Sequence, residues 1–563
     1  MNTTPPSTLS KKSIIRKTIE VGSSTLVSRV LAIAREVLMA RFLGAGIISD
    51  AFITAFKIPN SMRKVFAEGA LSVALIPTFV KVMKENGRQE VNRLVTLSFL
   101  IFEGVLLCIC LFMFIKADWI IRIIAPGWYV TSTVAETAHV GIPFVDGAVN
   151  FLSSSWNLFW SNSYGDHHEQ VTYAVKFLRI LISFILFLSS SSLLAAALQS
   201  VNHFFVPASA QILINIIWVS GILFCMFTGA PVEYMCFFLL AASFLSFLLH
   251  LITYLKLQFG FNAIDRQAWK NFAVVFRKFL PCFFSMSVME INLFIATTLG
   301  SYLPKGSISL IYYANRFMGV PLGVFALAFS TVLLPHFSRI STYAPKRLSF
   351  YLLEATKFIF WITIPFTLLM AFVAEKIFHT MFLSEKFTLL QVFEAKNILI
   401  AYVIGLFFFS LNKILLNLYY ALHETKIPLY ISIFAVIAYY TISKFCLPIY
   451  GAMGLAMANV ASAMLQTVLF VLFLHKKYAF KLYGKPFVIF FGKYLINLAT
   501  VAAGFLAVYA AMVYSISHLP EAFANFFLFK IGFWFWVGPL AGLSMLLLFF
   551  SRPKFNVKLH FLD

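Results

Sequence analysis

The chain has 563 residues, of which 61% are hydrophobic and only 12% charged, with a mean hydropathy of +0.87. That composition excludes a soluble globular or disordered protein and identifies an all-α polytopic membrane protein. The formal net charge of +22 follows from a Lys and Arg excess in cytoplasmic loops and attraction to anionic membrane lipids, so nucleic acid is not implied.

Apolar runs of about 20 residues mark spans. We read about 14 of them, centred near residues 34, 68, 105, 186, 216, 244, 287, 322, 362, 408, 437, 463, 501 and 538. With the N-terminus inside, the inner segments collect Lys11, Lys12, Arg16 and Lys17, then Lys81 to Arg93, Lys256 to Lys278, and later Arg339, Lys346, Arg347, Lys476 and Lys477. The opposite loops hold Arg122, Lys305, Lys376 and Lys386. An even span number then places both termini in the cytoplasm.

Residues 1–21 are polar and basic and read as a cytoplasmic tail, without the apolar core of a signal peptide. The first span carries Arg29, Arg35 and Glu36. Arg29 and Glu36 share a face two turns apart, and Arg35 lies roughly 120° round from Arg29. After the Gly44 to Gly46 turn, SDAFITAFKIPNSMRKVFAEGA brings Asp50, Lys57, Arg63, Lys64 and Glu68 around Pro59. A proline there predicts a kink, tolerated only where protein or a water-filled cavity satisfies the freed carbonyls. Charge at bilayer depth costs roughly 2.5 to 3.5 kcal/mol per arginine on insertion scales, so this region is the functional-site hypothesis. Lys64 and Glu68 are also spaced to pair across one turn.

Glu103 sits within the third span, and Asp118 with Arg122 forms a one-turn pair at its outer end. A polar external insertion, 129–173, follows. Its VNFLSSSWNLFW segment suits an interfacial position anchored by Trp156 and Trp160, and His167, His168 and Glu169 read as solvated loop. The six cysteines lie in or beside apolar runs without metal spacing and read as small core hydrophobes.

An internal repeat divides the chain. IPNSMRKVFAEGALSVALIP from Ile58 matches VPLGVFALAFSTVLLP from Val320, and ALQSVNHFFVP from Ala197 matches LYYALHETKIP from Leu418. Six spans separate the copies, which predicts parallel repeats about an axis along the membrane normal. The expected organisation is a cytoplasmic tail (1–21), two six-helix bundles (22–256 and 257–474), a basic cytoplasmic loop (475–487), two extra C-terminal helices (488–550) and a cytoplasmic tail (551–563). In the second half Glu290 and Arg316 lie mid-span and are cavity or ion-site hypotheses. A structural pair between them is the alternative.

SRVLAIARE, SDAFITAFKIPN and RKVFAEGALSVALIP, then APGW at 125–128, the stretch from 177 and GSISLIYYANRFMGVPLGVFALAFSTVLLPHFS from 306 together resemble the MurJ (MviN) lipid II flippase family of the multidrug/oligosaccharidyl-lipid/polysaccharide exporter superfamily. The likeness covers nearly the whole chain. It implies substrate-binding positions at Arg29, Arg35, Arg63 and Arg316 and an acidic position at Asp50. It also implies a lipid-tail groove formed by the last two helices, and a site in the bacterial inner membrane. Two departures stand out. Asn315 and Gly319 replace acidic residues often found beside Arg316, and the eleventh span lacks the carboxylate that, with one like Glu290, serves a coupling cation in some members.

No catalytic constellation, nucleotide loop or metal motif occurs, so no cofactor or metal is expected and the chain is read as a transporter rather than an enzyme. An arginine-lined cavity suits a pyrophosphate, because guanidinium offers fixed, forked donors to phosphate oxygens. The expected activity is therefore flipping of lipid II between leaflets by alternating access. Glu36, Asp50, Lys57, Lys64, Glu68 and Glu290 serve as charge partners or gate residues, and peptidoglycan synthesis proteins are further expected partners. The alternatives are another undecaprenyl-pyrophosphate-linked oligosaccharide as substrate, or drug/cation antiport, against which the arginines argue.

Overall fold

The computed structural model describes residues 11–129, 167–201, 203–481 and 483–561, with side chains described from Val27 onward apart from scattered positions such as 67–70. Every regular element among them is helical. The chain divides into two compact units, Met1–Ser309 and Leu310–Asp563.

In the first unit α1 (Lys11–Leu43) ends at Gly44, whose φ of +71° suits glycine and whose N–H closes on the Ala40 carbonyl at 2.8 Å. α2 (Ile47–Met62) contains Pro59 and passes into a π-helical stretch, Arg63–Leu71. α2 thus leaves α-helical geometry four residues after Pro59, at the start of the π stretch, while Pro59 itself lies inside the helix. α3 (Ser72–Ile115) bends at Gly87, where φ is +81°. α4 (Ala117–Ile124) leads to a 3₁₀ turn, Pro126–Tyr129. Then come α5 (His168–Leu181), α6 (Phe184–Ser200), α7 (Phe205–Thr228), α8 (Glu233–Lys256) and α9 (Arg266–Gly300). α3 packs on α6 and α9, and their buried Leu75, Phe79, Leu94, Phe102, Leu194 and Phe279 form one core.

The helix α5 corrects one expectation. Residues 168–173, read as the end of a solvated loop, form its first turns, and although His168 and Glu169 are exposed, Gln170 and Val171 are buried. Glu169 stands in the first turn, where a carboxylate complements the helix dipole. The interfacial VNFLSSSWNLFW segment lies outside the described residues.

The second unit takes up α10 (Ser307–Pro321) after its first turn, a π-helical stretch Leu322–Leu327, α11 (Ala328–Tyr343) and α12 (Leu348–Met381). α13 (Leu389–Ile404) and α14 (Leu406–Ala421) meet at a 41° bend. α15 (Lys426–Tyr478) is bent at Gly451, and α16 (Gly484–Ser517), α17 (Glu521–Phe529) and α18 (Phe533–Ser551) complete the chain. One core gathers Phe337, Ile359, Leu415, Tyr419 and Phe470. A second, of Phe360, Tyr494, Leu548 and Leu559, fastens α16, α18 and the tail to α12.

Among the described residues eight helices are long and apolar enough to cross a bilayer, nine with the bent pair α13 and α14 as one span. The helices carrying Arg29, Asp50, Glu290 and Arg316 are not among them, and α15, expected as two spans, counts as one element although it consists of two helices that meet at Gly451, whose φ of +53° and ψ of −133° are non-helical. The chain is a multi-pass helical membrane protein, but length and apolarity alone do not return the figure of 14. The π stretches leave α2, α10 and α11 with 16, 15 and 16 residues, short of a full span, and α15 joins two helices in one element.

The repeat has a backbone counterpart. Pro59 precedes the π stretch Arg63–Leu71, and Pro321 precedes the π stretch Leu322–Leu327. The second repeat pair forms two like turns: His203 N–H donates to Leu198 O at 3.0 Å, and Glu424 N–H to Tyr419 O at 2.9 Å.

Candidate functional site

Asp50, Lys57, Ser61 and Lys64 recur at helical spacing, so α2 and its π extension present them on one side. That side meets α9 and the turn after it, within the first unit. The result is an antiparallel polar ladder.

At its head Asp50 is 2% exposed. Its Oδ1 accepts from the Ser309 N–H at 2.8 Å and the Ser309 hydroxyl at 2.5 Å, and its Oδ2 accepts from the Gly306 N–H at 2.7 Å and from Gln170 Nε2 at 3.4 Å. Ser309 lies in the first turn of α10, whose free N–H groups and positive dipole end attract an anion. Asp50 is therefore a helix cap supplied from a distant part of the chain. Gly306 completes the fit: its φ is +95°, and a Cβ there would stand 2.5 Å from the Ala45 carbonyl oxygen. Ser49 adds its hydroxyl to that of Ser309 at 2.5 Å.

Two turns along, Lys57 Nζ donates to the Leu293 carbonyl at 3.2 Å and to the Thr297 hydroxyl. Farther down, Glu290 accepts from the Ser61 hydroxyl at 2.7 Å and from Lys64 Nζ at 3.1 Å. Lys64 thus reaches across to α9. The alternative pairing with Glu68 involves a side chain outside the described residues.

Arg35 occupies a second buried cluster. It is 7% exposed, meets Glu36 at 2.5 Å, donates to Asn215 Oδ1 at 2.9 Å and lies 4.1 Å from the Trp218 ring centroid. Asn215 returns a bond to the Ser28 hydroxyl at 3.2 Å. Charge, amide and aromatic face together fasten α1 to α7. Arg29, which shares a face with Glu36 two turns away, is exposed.

Arg63 is half-buried and donates from Nε and Nη2 to Asn60 Oδ1 at 3.3 and 3.0 Å. In the second unit Arg316 is exposed, donates to the Tyr312 hydroxyl at 3.0 Å and lies 4.9 Å from that ring's centroid. The structure therefore separates the four arginines by environment. Arg35 is committed to protein partners, and Arg29 and Arg316 keep exposed heads.

Sequence reasoning did not single out Gly306, Ser309, Gln170, Thr297, Asn215 or Trp218. Asn215 offered a signal, as a lone amide in the apolar run ILINIIWVSGI. Among the described residues no group of three His, Cys, Asp or Glu is placed to hold a metal.

With this geometry in hand, the sequence matches the family model described as "Lipid II flippase MurJ" over residues 39–534. A "Probable lipid II flippase MurJ" of Haemophilus influenzae is 29% identical over 529 residues, covering 92% of this chain and 96% of the relative. Among solved structures, "Lipid II flippase MurJ, inward closed conformation" aligns with a TM-score of 0.70 at 23% identity, over 95% of this chain and 99% of the other. An inward-facing multidrug resistance MATE transporter of the MOP superfamily aligns with a TM-score of 0.61 at 13% identity, over 79% of this chain and 94% of the other. These structural likenesses establish the shared fold.

Proposed function

This chain belongs to the lipid II flippase MurJ family, and on that premise we propose that it carries lipid II from the inner to the outer leaflet of a bacterial cytoplasmic membrane by alternating access. The observation that carries the reading is the broken α2. It sets Lys57, Arg63 and Lys64 around Pro59 at membrane depth, a costly excess of positive charge that an anionic headgroup offsets.

In this reading Arg29, Arg63 and Arg316 meet the pyrophosphate, because forked donors match phosphate oxygens. Arg35 acts at one remove by fixing α1 against α7. Lys57 and Lys64 tie α2 to α9 and are released or exchanged as the ladder opens. With the N-terminus inside, the Asp50 cap on Gly306 and Ser309 lies at the outer end of α2 and acts as the outer latch. The two parallel repeats then rock about the charged region. The membrane potential supplies about 2.3 kcal/mol per charge per 100 mV, enough to drive a dianion outward or to reset an empty cationic site inward.

The test is growth of a bacterium depleted of its own lipid II flippase and supplied with this chain. Arg29→Ala, Arg63→Ala and Arg316→Ala each fail to support growth while the protein inserts at normal levels, and lysine at these positions restores part of it. Full growth with all three alanine variants overturns the reading. Competition by a different undecaprenyl-pyrophosphate-linked oligosaccharide in reconstituted vesicles reads substrate choice.

A further inference from the structure

Glu103 is the only charged residue between Arg93 and Lys116 on α3. Both of its carboxylate oxygens are buried and lack a hydrogen-bond partner among the described residues. Its polar neighbours are the hydroxyls of Ser189 and Ser190 on α6, which act on it without reaching hydrogen-bond geometry. Ser189 is itself 1% exposed, and its hydroxyl likewise lacks a partner. α6 has no charged residue to offer.

Among the described residues no cation acts on Glu103: Arg63 is turned to Asn60, Arg179 lies over the Phe114 ring, and Arg266, Lys270, Arg277 and Lys278 of α9 are not among the groups that act on it. Lys64 is engaged with Glu290, Arg93 with Asp265, Arg122 with Asp118 and Lys176 with Glu233. Cys110, two turns along the same helix, is the remaining titratable neighbour, and its thiol is directed to the Ile182 carbonyl at 3.7 Å. A bare carboxylate among apolar side chains, with no cation and no donor bonded to it, costs several kcal/mol unless something neutralises it. Oxygen-only surroundings select a hard, small cation over a soft one.

We propose that Glu103, Ser189 and Ser190 form a binding site for a small monovalent cation, a proton or a sodium ion, between α3 and α6. The carboxylate supplies the charge and the two hydroxyls supply neutral oxygens. Loading the site neutralises the only charge at this level of the α3 and α6 contact, so occupancy and the packing of these helices are linked. α6 starts just beyond the turn at Ile182 and Ser183, and Ser189 and Ser190 follow about two helical turns later. The inference goes beyond the flippase reading and does not depend on it.

The experiment uses the full chain in lipid nanodiscs and an apolar carbodiimide, which modifies protonated carboxyls in apolar surroundings, with adducts mapped by mass spectrometry. The expected result is an adduct on Glu103 that is lost as the medium is made alkaline. Protection by sodium at fixed pH, absent with an equal concentration of N-methylglucamine, assigns sodium, and indifference to sodium assigns the proton. Ser189→Ala with Ser190→Ala shifts the protecting pH or sodium concentration, and Glu103→Gln loses the adduct. If the glutamine variant does not fold, the protection curves of the unaltered chain decide. A Glu103 that resists the reagent under all conditions, or reacts equally under all of them, overturns the site.

Discussion

The two proline-led breaks are copies of one device filled differently. After Pro59 the π stretch reads RKVFAEGAL, and after Pro321 it reads LGVFAL. Both relax the helix by widening a turn, so the backbone solution belongs to the repeat and not to the charge. Only the first π stretch contains basic side chains, Arg63 and Lys64, and its helix ties its charges in a ladder to α9, whereas the second copy's Arg316 lies five residues before its proline and donates to Tyr312. The difference teaches that a shared hinge has been given chemistry on one side, and substitutions at Asp50, Gly306, Glu290 and Glu424 break or sharpen that statement.

The largest effect falls on the head of the ladder. Asp50→Ala leaves the buried N–H groups of Gly306 and Ser309 without their acceptor, at about 1 to 3 kcal/mol for each unsatisfied group. Thermal unfolding of the purified chain should fall accordingly, with Asp50→Asn recovering part of the loss. Next is Gly306→Ala, where a positive φ and the close Ala45 carbonyl both oppose a side chain. A cost of about 1 to 3 kcal/mol is expected from backbone strain, more if Ala45 cannot retreat.

Glu290 gives a smaller effect. Glu290→Gln keeps the Ser61 contact but removes the charge facing Lys64, which is about a third exposed, so solvent screens the pair. A double-mutant cycle with Lys64→Met should give a coupling of about 1 kcal/mol or less.

The smallest effect contrasts the other repeat pair. In the turn before α15 the donated bond from Lys477 holds the Glu424 carboxyl below the usual carboxylate range, whereas the matching turn carries His203 at the place of Glu424. A carboxyl lowered in the folded state stabilises above its ordinary value, and that contribution disappears as pH falls from there through the lowered value. Glu424→Gln should flatten the acid side of the unfolding profile over that window and leave neutral pH nearly unchanged.

Local features were legible in the sequence and distant ones were not. Pro59 announced the break in α2, and the intramembrane charges marked the region, because each follows from the chemistry of one short stretch. Asp50's acceptor role was hidden because its donors, Gly306 and Ser309, lie about 260 residues away and show nothing but backbone N–H groups and a serine. Gln170 was concealed for a different reason: a polar run beside a long insertion looks solvated, and only the buried carboxylate opposite draws it in. Arg35 was grouped with the other arginines by residue type, yet burial against Asn215 and Trp218 gives it a different task.

The account's central claim is that the charge at the first break serves an anionic headgroup. The most direct measurement is the rate of lipid II translocation by the full chain in proteoliposomes, comparing the unaltered protein with Arg63→Ala and Arg63→Lys at matched reconstitution. The account predicts translocation near background for alanine and partial recovery for lysine, with the fold of both intact. Translocation by Arg63→Ala at the unaltered rate would contradict it.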